Sequence, residues 1–253
     1  MQHHRELAVA ILAAGQGKRM GNPNLAKVLA PLNGTPLLGY VLQQSSDLQP
    51  DAVVVIVGHQ REAVAAYVAE TMPTAACVVQ DQQLGTGHAV QQTAPLLASR
   101  HADVIILSGD VPLLTTATLQ ALVDRHRSGN AVATVLTARV PDPTGYGRIV
   151  RDADGNLLRI VEHKDASDEE RAITEINSGI YVVRSESLYP SLSRVSNTNA
   201  QGEFYLTDII GILQSDGLVV DAWCAPSWEE LHGINTVADL EHASTLLHKR
   251  SLQ

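Results

Sequence analysis

The chain has 253 residues, enough to bury a large core as one α/β unit, so we expect a single domain. Its formal charge of -9 argues against sequence-independent binding to nucleic acid, which requires many Lys and Arg side chains facing phosphates. Hydrophobic residues make up 45% of the sequence but form runs much shorter than the ~20 residues needed to cross a bilayer. We therefore expect a soluble protein with neither nucleic acid nor membrane as a partner.

The N-terminal segment and the cysteines favour a cytoplasmic protein. The apolar stretch from Leu7 to Leu12 is too short and wrongly flanked for a signal peptide. The two cysteines, Cys77 and Cys224, each lie among apolar residues. We expect them to be buried free thiols, because neither their number nor their spacing indicates a disulfide or a metal site.

Four short aliphatic runs predict strands that are buried on both faces, as in a parallel sheet. They are Leu7 to Leu12, Ala52 to Val57, Val104 to Leu107 and Ala131 to Leu136. Helical patterns alternate with these runs at Pro36 to Gln44, Arg61 to Glu70, His88 to Leu97 and Thr116 to Arg127. This alternation predicts an α/β protein with a doubly wound, mixed but mainly parallel sheet.

The middle of the chain has a different pattern. Polar and apolar residues alternate from Gly147 to Val161 around Asp154-Gly155, a dipeptide that favours a tight hairpin turn, so we expect a small antiparallel β insertion. Ile180 to Val183 predicts a further strand. Thr207 to Leu213 and Val237 to Leu247 predict helices.

A glycine-containing loop, residues 12–20 (LAAGQGKRM), follows the first predicted strand, at the edge of the sheet where open α/β folds bind ligands. Its small residues would let backbone amides approach an oligophosphate, and Lys18, Arg19 and Lys27 could supply positive charge. A dinucleotide-binding loop is an alternative, but Gly21 comes one residue late for that motif. A P-loop would need Ser or Thr in place of Arg19, and a plain surface turn with exposed lysines is the third alternative.

Further motifs follow this loop in a fixed order. They are residues 27–29 (KVL), 33–37 (NGTPL), 83–89 (QLGTGHA), 109–113 (GDVPL), 145–149 (GYGRI), 161–166 (VEHKDA), 175–179 (EINSG), 199–208 (NAQGEFYLTD) and 233–235 (GIN). Together they resemble the uridyltransferase domain of bacterial N-acetylglucosamine-1-phosphate uridyltransferase over nearly the whole chain. The resemblance implies a Rossmann-like nucleotidyltransferase fold, with a nucleotide-binding part at about 1–137, a sugar-binding part at about 138–236 and a C-terminal helix at about 237–249.

The resemblance also implies an activity. It is the Mg²⁺-dependent transfer of UMP from UTP to N-acetylglucosamine 1-phosphate, which releases pyrophosphate and forms UDP-N-acetylglucosamine, a peptidoglycan precursor. The family's full-length enzyme adds a left-handed β-helix of hexapeptide repeats with acetyltransferase activity, and the 253 residues contain no such repeat. The alternatives are the same chemistry on glucose 1-phosphate, another sugar phosphate or another nucleotide, and a nucleotide-sugar-binding protein without catalysis.

The same resemblance assigns the metal site and the catalytic cations. Asp110 and Asn235 would hold Mg²⁺, which prefers oxygen ligands and needs few protein groups when phosphate oxygens and water complete its shell. Arg19 and Lys27 would offset the charge of the reacting phosphates. Taken alone, Asp110 could equally begin a turn and Asn235 could cap the final helix.

The nucleotide and sugar residues are assigned in the same way. The implied nucleotide-binding residues are Leu12, Ala13, Ala14, Gly15, Gly17, Gln80, Gly85 and Thr86. The implied sugar-binding residues are Gly147, Glu162 and Asn177, with Asn177 on the acetamido group. The sequence departs from the family pattern at Lys18, which is usually Thr, and at Ala26, which is usually Pro, so the geometry around the triphosphate could differ.

Overall fold

A mixed sheet forms the centre of the protein. The computed structural model describes residues 5–16 and 25–251, and within them it contains one nine-stranded sheet and one two-stranded sheet. The strands are β1 (Glu6–Ala13), β2 (Pro31–Leu32), β3 (Thr35–Pro36), β4 (Ala52–Val57), β5 (Ala76–Val79), β6 (Ala102–Ser108), β7 (Ala133–Arg139), β8 (Arg148–Arg151), β9 (Leu157–Val161), β10 (Glu175–Arg184) and β11 (Val220–Cys224).

Helices cover both faces of this sheet. They are α1 (Leu37–Asp47), α2 (Arg61–Thr71), α3 (Thr86–Gln91), α4 (Ala94–Leu97), α5 (Thr116–Ser128), α6 (Asp168–Arg171), α7 (Ser185–Leu192), α8 (Asp208–Ser215) and α9 (Val237–Ser251). Two short 3₁₀ turns lie at Lys27–Leu29 and Glu229–Leu231. In the part of the chain that the structure describes, no helix combines the length and the apolar character that a membrane span requires.

The strand order is β11-β7-β10-β6-β1-β4-β5. β6, β1, β4 and β5 run parallel to one another, and β11 runs parallel to β7. β10 lies antiparallel between β6 and β7, and the hairpin of β8 and β9 extends from it. The predicted fold class, a mainly parallel doubly wound sheet with a small antiparallel insertion, is therefore confirmed.

The core consists of two apolar layers, one on each face of the sheet. Alternate residues of β1 enter different layers, because successive side chains of a strand point to opposite faces. Val9 and Ile11 pack on the face covered by α1, α2 and α5. Ala8 and Ala10 pack on the face covered by α3, α7 and α8. This burial on both sides explains the continuous aliphatic runs in the sequence.

Two of the predicted elements differ from the structure. The predicted helix from His88 to Leu97 is divided into α3 and α4, because Pro95 has no amide hydrogen to continue the helical bonding and the Thr93 hydroxyl donates to the Val90 carbonyl (2.7 Å). The turn around Asp154-Gly155 is wider than a two-residue turn. Only Gly155 there has a positive φ (84°), and the Asp152 carboxylate accepts the backbone amide of Asn156 (2.8 Å).

The prediction that the cysteines are free is confirmed, but the prediction that they are buried is wrong. Cys77 is exposed and Cys224 is half-buried. Cys77 lies on β5 and Cys224 on β11, the two outer strands of the sheet. Outer strands have a neighbour on one side only, and an apolar sequence environment does not reveal that position.

A buried carboxylate joins several segments at the edge of the sheet opposite the glycine loop. Asp103 is inaccessible to solvent and accepts hydrogen bonds from Arg5 Nε (2.7 Å) and Arg127 Nε (2.9 Å). Burial by itself would raise the pKa of Asp103, but the neighbouring His126, Arg127 and Arg5 side chains outweigh burial and hold this pKa well below its usual range. Asp103 therefore stabilises the fold as a carboxylate.

We expect Asp103→Asn to lower the free energy of unfolding by about 2–3 kcal/mol at neutral pH, because two arginines lose their charged acceptor. Because the pKa of Asp103 is lowered on folding, the contribution of its charge is present above the ordinary aspartate pKa and is lost as the pH falls. Urea unfolding would measure both effects. The control is Asp221→Asn, which breaks a more exposed pair with Arg125 and should cost less than about 1 kcal/mol. Equal losses in the two variants would contradict this role of Asp103.

Candidate functional site

The carboxyl ends of four parallel strands meet along one edge of the sheet. Ala14 follows β1, Gly58 follows β4, Gln80 follows β5 and Gly109 follows β6. The chain passes from β1 to β4 on one side and returns to β6 on the other, which makes the gap between β1 and β6 the usual ligand-binding position of such a sheet. The Gly109 amide donates to the Leu12 carbonyl (2.9 Å) across this gap.

A cleft of about 270 Å³ opens at this position. Its walls contain eight of the residues predicted from the sequence, namely Leu12, Ala14, Gly15, Lys27, Gln80, Gly85, Thr86 and Asp110. They also contain Val28, Gln83, Ala89, Ser108 and Glu203, which the sequence analysis did not assign to the site. Of these, Val28, Gln83, Ala89 and Glu203 belong to the recognised motifs and Ser108 precedes one of them, so motif membership was the available signal.

Among the predicted nucleotide-binding and catalytic residues that the structure describes, one is not in this wall. Ala13 is buried in the core layer beneath the cleft rather than exposed to it. Gly17 and Arg19 lie outside the described residues, as does Lys18, the position that departs from the family pattern.

The segment after β5 is held against the segment before α8. The Phe204 amide donates to the Leu84 carbonyl (2.7 Å), and the Gly87 amide donates to the Phe204 carbonyl (2.8 Å). Gly85 has a φ of +111°, and a methyl group on its Cα would lie 2.6 Å from the Phe204 carbonyl oxygen. Only glycine fits this backbone. The Thr86 hydroxyl accepts the Leu206 amide (3.1 Å), which leaves its hydrogen available to a ligand.

The amide side chains of this cleft are oriented by protein contacts. Gln80 is almost fully buried, and its Nε2 donates to the Gly85 carbonyl (3.0 Å) and lies 3.1 Å from His88 Nδ1. Gln83 Nε2 donates to the Ala14 carbonyl (2.6 Å), which joins the loop after β1 to the loop after β5. His88, to which the sequence analysis gave no role, thus helps to orient Gln80.

Lys27, Asp110 and Asn235 meet at one end of the cleft, although Lys27 and Asn235 are 208 positions apart in the chain. The Lys27 ammonium donates to Asp110 Oδ2 and to Asn235 Oδ1, the latter at 3.0 Å. The Ile234 amide donates to the Asp110 carbonyl (2.9 Å), so the two loops that carry these oxygens are also joined through the backbone. The side chains of Lys27 and Asp110 are 15% and 18% exposed, which leaves them accessible from the cleft.

Asp110 and Asn235 form a pair of oxygen donors suited to a hard cation. Both oxygens point at one positive charge, the Lys27 ammonium. Mg²⁺ commonly takes one or two protein oxygens and completes its shell with water and substrate phosphates, so the donor set fits this ion. Among residues 5–16 and 25–251, no cluster of three or more His, Cys, Asp or Glu side chains could hold a metal.

The three predicted sugar-binding residues also lie together. Gly147 precedes β8, Glu162 follows β9, and Asn177 lies at a bulge in β10. The Asn177 amide donates to the Gly147 carbonyl (2.9 Å), and a methyl group on Gly147 would lie 3.5 Å from Glu162 Oε1. Asn177 Oδ1 accepts the Gly179 amide (3.0 Å), so its Nδ2 is the group that can donate to a ligand.

This trio adjoins the cleft. A methyl group on Gly179, in the bulge of β10, would lie 3.6 Å from Ser108 Oγ, and Ser108 forms part of the cleft wall. Gly179 can enter this bulge because its φ is +80°, a value that residues with a Cβ rarely adopt. The bulge that carries Asn177 is therefore a neighbour of the cleft wall.

The surroundings of Glu162 make ionisation of its carboxyl group unfavourable. Burial raises its pKa, and the nearby carboxylates of Asp208, Asp165 and Glu203 raise it further, while a hydrogen bond from the Thr207 hydroxyl (3.3 Å) acts in the opposite direction. A half-buried carboxylate with one protein donor has lone pairs left for further donors. The ionised carboxylate is thus destabilised in these surroundings, and further hydrogen-bond donors would stabilise it.

Comparison with known proteins identifies related sequences and a related fold. The family model of the MobA-like NTP transferase domain matches residues 9–203. The bifunctional protein GlmU of Geobacillus sp. (strain WCH70) is 48% identical over 240 residues, which are 95% of this chain and 51% of that protein. The bifunctional protein GlmU of Desulfotalea psychrophila (strain LSv54 / DSM 12343) is 45% identical over 252 residues, which are 99% of this chain and 73% of that protein.

The chain spans about half the length of the first of these relatives. A crystal structure of UDP-glucose pyrophosphorylase complexed with UDP-glucose superposes with a TM-score of 0.76 and 15% sequence identity, over 97% of this chain and 99% of that chain. At this identity the likeness concerns the fold. It agrees with a Rossmann-like nucleotidyltransferase architecture.

We expect Glu162→Gln to be more stable than the unmodified protein at pH 7. Because the pKa of Glu162 is raised on folding, ionisation of this carboxyl costs stability as the pH rises above its ordinary value of 4.5, whereas glutamine is neutral throughout. The difference in unfolding free energy should therefore widen from pH 4.5 to pH 7 in chemical denaturation. Glu62→Gln is the control with opposite sign, since its own backbone amide and Arg61 lower the pKa of Glu62. A difference at Glu162 that did not change with pH would contradict this account.

Proposed function

Since this chain belongs to the MobA-like NTP transferase family and is a nucleotidyltransferase, we propose that it transfers UMP from UTP to N-acetylglucosamine 1-phosphate. The products would be UDP-N-acetylglucosamine and pyrophosphate. The observation that carries this proposal is the convergence of Asp110 and Asn235 on one cation, the Lys27 ammonium, at one end of the cleft after β1. A site of this form suits the joining of a nucleotide to a phosphorylated polyol. We further propose that the reaction takes place in the cytoplasm and supplies peptidoglycan precursors.

The cleft would hold UTP. Backbone groups of Ala14, Gly15 and Gly85, together with the Thr86 hydroxyl, would contact the nucleotide. The Nε2 of Gln80 donates within the protein, which leaves its Oε1 to accept the N3 hydrogen of uracil. The ring nitrogen at that position of cytosine carries no hydrogen, so this contact would favour uracil. In this proposal, residues 1–137 would form most of the nucleotide-binding part and residues 138–236 the sugar-binding part, while Glu203 also contributes to the cleft wall.

The trio would hold the sugar. Glu162 would accept hydrogen bonds from ring hydroxyls, the Gly147 backbone would contact the same face, and Asn177 Nδ2 would donate to the acetamido carbonyl. A half-buried site makes such bonds selective, because a substrate that lacks one partner leaves a protein group unsatisfied.

The reaction would be an in-line displacement between two anions. A phosphate oxygen of the sugar phosphate attacks the α-phosphorus of UTP, and the bond from that phosphorus to the oxygen that bridges to the β-phosphorus breaks, so pyrophosphate leaves with the electron pair. Asp110 and Asn235 would hold Mg²⁺, which when bound supplies positive charge to the phosphate oxygens. Lys27 would turn from Asp110 to the phosphates, and we assign Arg19 to the same triphosphate. The protein's part is positioning and charge compensation, without a covalent intermediate.

We expect Asp110→Ala to reduce turnover at least about 100-fold at saturating Mg²⁺, because one of two protein oxygens for the metal is lost. The fold should persist, since the Asp110 side chain faces the cleft rather than the core. Pyrophosphate release and circular dichroism would measure the two properties. Asp124→Ala removes an exposed carboxylate on α5, away from the cleft, and is the matched control. Near-normal turnover of Asp110→Ala would remove Asp110 from the metal site.

A small matrix of substrates tests the choice of sugar. We expect UTP with N-acetylglucosamine 1-phosphate to give the highest kcat/KM, and Asn177→Asp to raise KM for that substrate about tenfold while changing KM for glucose 1-phosphate much less. Aspartate retains the acceptor for the Gly179 amide but lacks the Nδ2 donor, so the bulge of β10 is preserved.

A preference of the unmodified protein for glucose 1-phosphate would reject N-acetylglucosamine 1-phosphate as the substrate. An equal rise for both sugar phosphates would reject the role of Asn177, and binding of UDP-N-acetylglucosamine without pyrophosphate release would indicate a non-catalytic protein.

A further inference from the structure

The loop that carries Asn235 is held by a carboxylate in the first turn of α9. Asp239 Oδ2 accepts the backbone amides of Asn235 and Thr236, both at 2.8 Å. The other oxygen of Asp239 lies 3.1 Å from His232 Nε2, so the same side chain also contacts the segment that enters this loop. One carboxylate therefore joins residues on both sides of Gly233 to the helix.

We propose that Asp239 is a positioning residue for the cation-binding pair, and that it acts by fixing the backbone of Asn235. This inference rests on the proposed role of Asp110 and Asn235 in holding Mg²⁺. Asp239 itself does not contact the substrate in this proposal.

Helix capping accounts for only part of these contacts. In an ordinary capping box, the residue before the helix and the third helical residue exchange hydrogen bonds between side chain and backbone. Thr236 and Asp239 make this exchange, since Thr236 Oγ1 accepts the Asp239 amide at 3.2 Å. The bond from the Asn235 amide to Asp239 lies outside the box. It is directed at the residue whose side chain enters the candidate metal site.

The orientation of the Asn235 side chain depends on this backbone. Its Nδ2 donates to the Gly233 carbonyl (3.2 Å), and its Oδ1 faces the Lys27 ammonium (3.0 Å). The contact with Gly233 determines which end of the amide is presented to a cation, because the nitrogen cannot bind one. A rotation of the backbone at Asn235 would break this contact and turn the oxygen away from Asp110.

Helix α9 is itself firmly docked. Ala243 is fully buried against Leu32 and Leu113, with Leu240 packed on the same cluster. Near the other end of the helix, Arg250 Nη1 donates to the Leu113 carbonyl (2.6 Å), three residues after Asp110. One helix therefore contacts the segments that carry both oxygens of the pair. Contacts behind the direct ligands commonly set metal affinity in this way.

The test measures binding of Mn²⁺ as a probe for Mg²⁺, by electron paramagnetic resonance on the protein without nucleotide. Asp110→Ala defines the background. We expect Asp239→Ala to weaken Mn²⁺ binding tenfold or more, the usual range for loss of a contact behind a ligand. Asp239→Asn keeps an oxygen that can accept both amides, and its affinity should stay within about threefold of the unmodified protein.

Leu240→Ala is the matched control, because it weakens the docking of the same turn without touching Asn235. It should lower the Tm and leave Mn²⁺ affinity within about threefold. In turnover assays, Asp239→Ala should raise the Mg²⁺ concentration for half-maximal rate while the KM for UTP at saturating Mg²⁺ stays within about twofold. Hydrogen exchange at the Asn235 amide should be faster in Asp239→Ala than in Asp239→Asn.

The outcomes separate this inference from the function on which it rests. If the unmodified protein and Asp110→Ala bound Mn²⁺ equally, the proposed metal role would fail, and the inference with it. If only the unmodified protein bound Mn²⁺ well, but Asp239→Ala matched it, the metal role would stand and the inference would be wrong. A loss in Leu240→Ala as large as that in Asp239→Ala would also overturn it, since helix stability alone would then explain both.

Discussion

The contact of the Lys27 ammonium with the oxygens of Asp110 and Asn235 is the interaction on which the site depends. It joins a short turn after the glycine loop, the end of β6 and the segment before α9. The Lys27 ammonium and the Asp110 carboxylate are charged, and the Asn235 side-chain oxygen attracts positive charge. Each of them finds its partner here in a segment that is distant in the sequence. Their meeting places an ammonium and two side-chain oxygens at one end of the cleft, where the oxygens can bind a cation and the ammonium can bind an anion.

The parallel strands explain why this meeting is possible. Four of them end at the same edge, so the residues that follow each strand are neighbours even though long helical segments separate them in the chain. β10 runs in the opposite direction, and its first residues therefore reach the same edge, where Gly179, two residues after Asn177, lies beside Ser108. The antiparallel strand thus extends this edge of the sheet from the cleft to Asn177, the residue that the proposed function assigns to the sugar.

Charge is distributed differently at the two edges of the sheet. At the edge opposite the cleft, burial opposes ionisation of Asp103, but neighbouring cations outweigh it and its pKa is lowered. At the cleft edge, burial raises the pKa of Glu162 and of Asp208, and nearby carboxylates add to this effect. At the first edge, the ionised Asp103 carboxylate stabilises the fold. At the second edge, ionised carboxylates cost stability, a pattern that is common at functional sites.

The sequence by itself determined the class of the fold, because burial on both faces leaves continuous aliphatic runs and the alternation of these runs with helical patterns is local information. Its motifs also indicated most of the cleft wall, including Lys27, Gln80 and Asp110. Only the tertiary structure decided which of these groups touch, that His88 orients Gln80, that Cys77 is exposed on an outer strand, and that Asp239 holds the loop of Asn235. The physical reason is that periodicity records whether a residue faces the core, whereas contacts between residues as distant as Lys27 and Asn235 depend on the order and direction in which the strands pack.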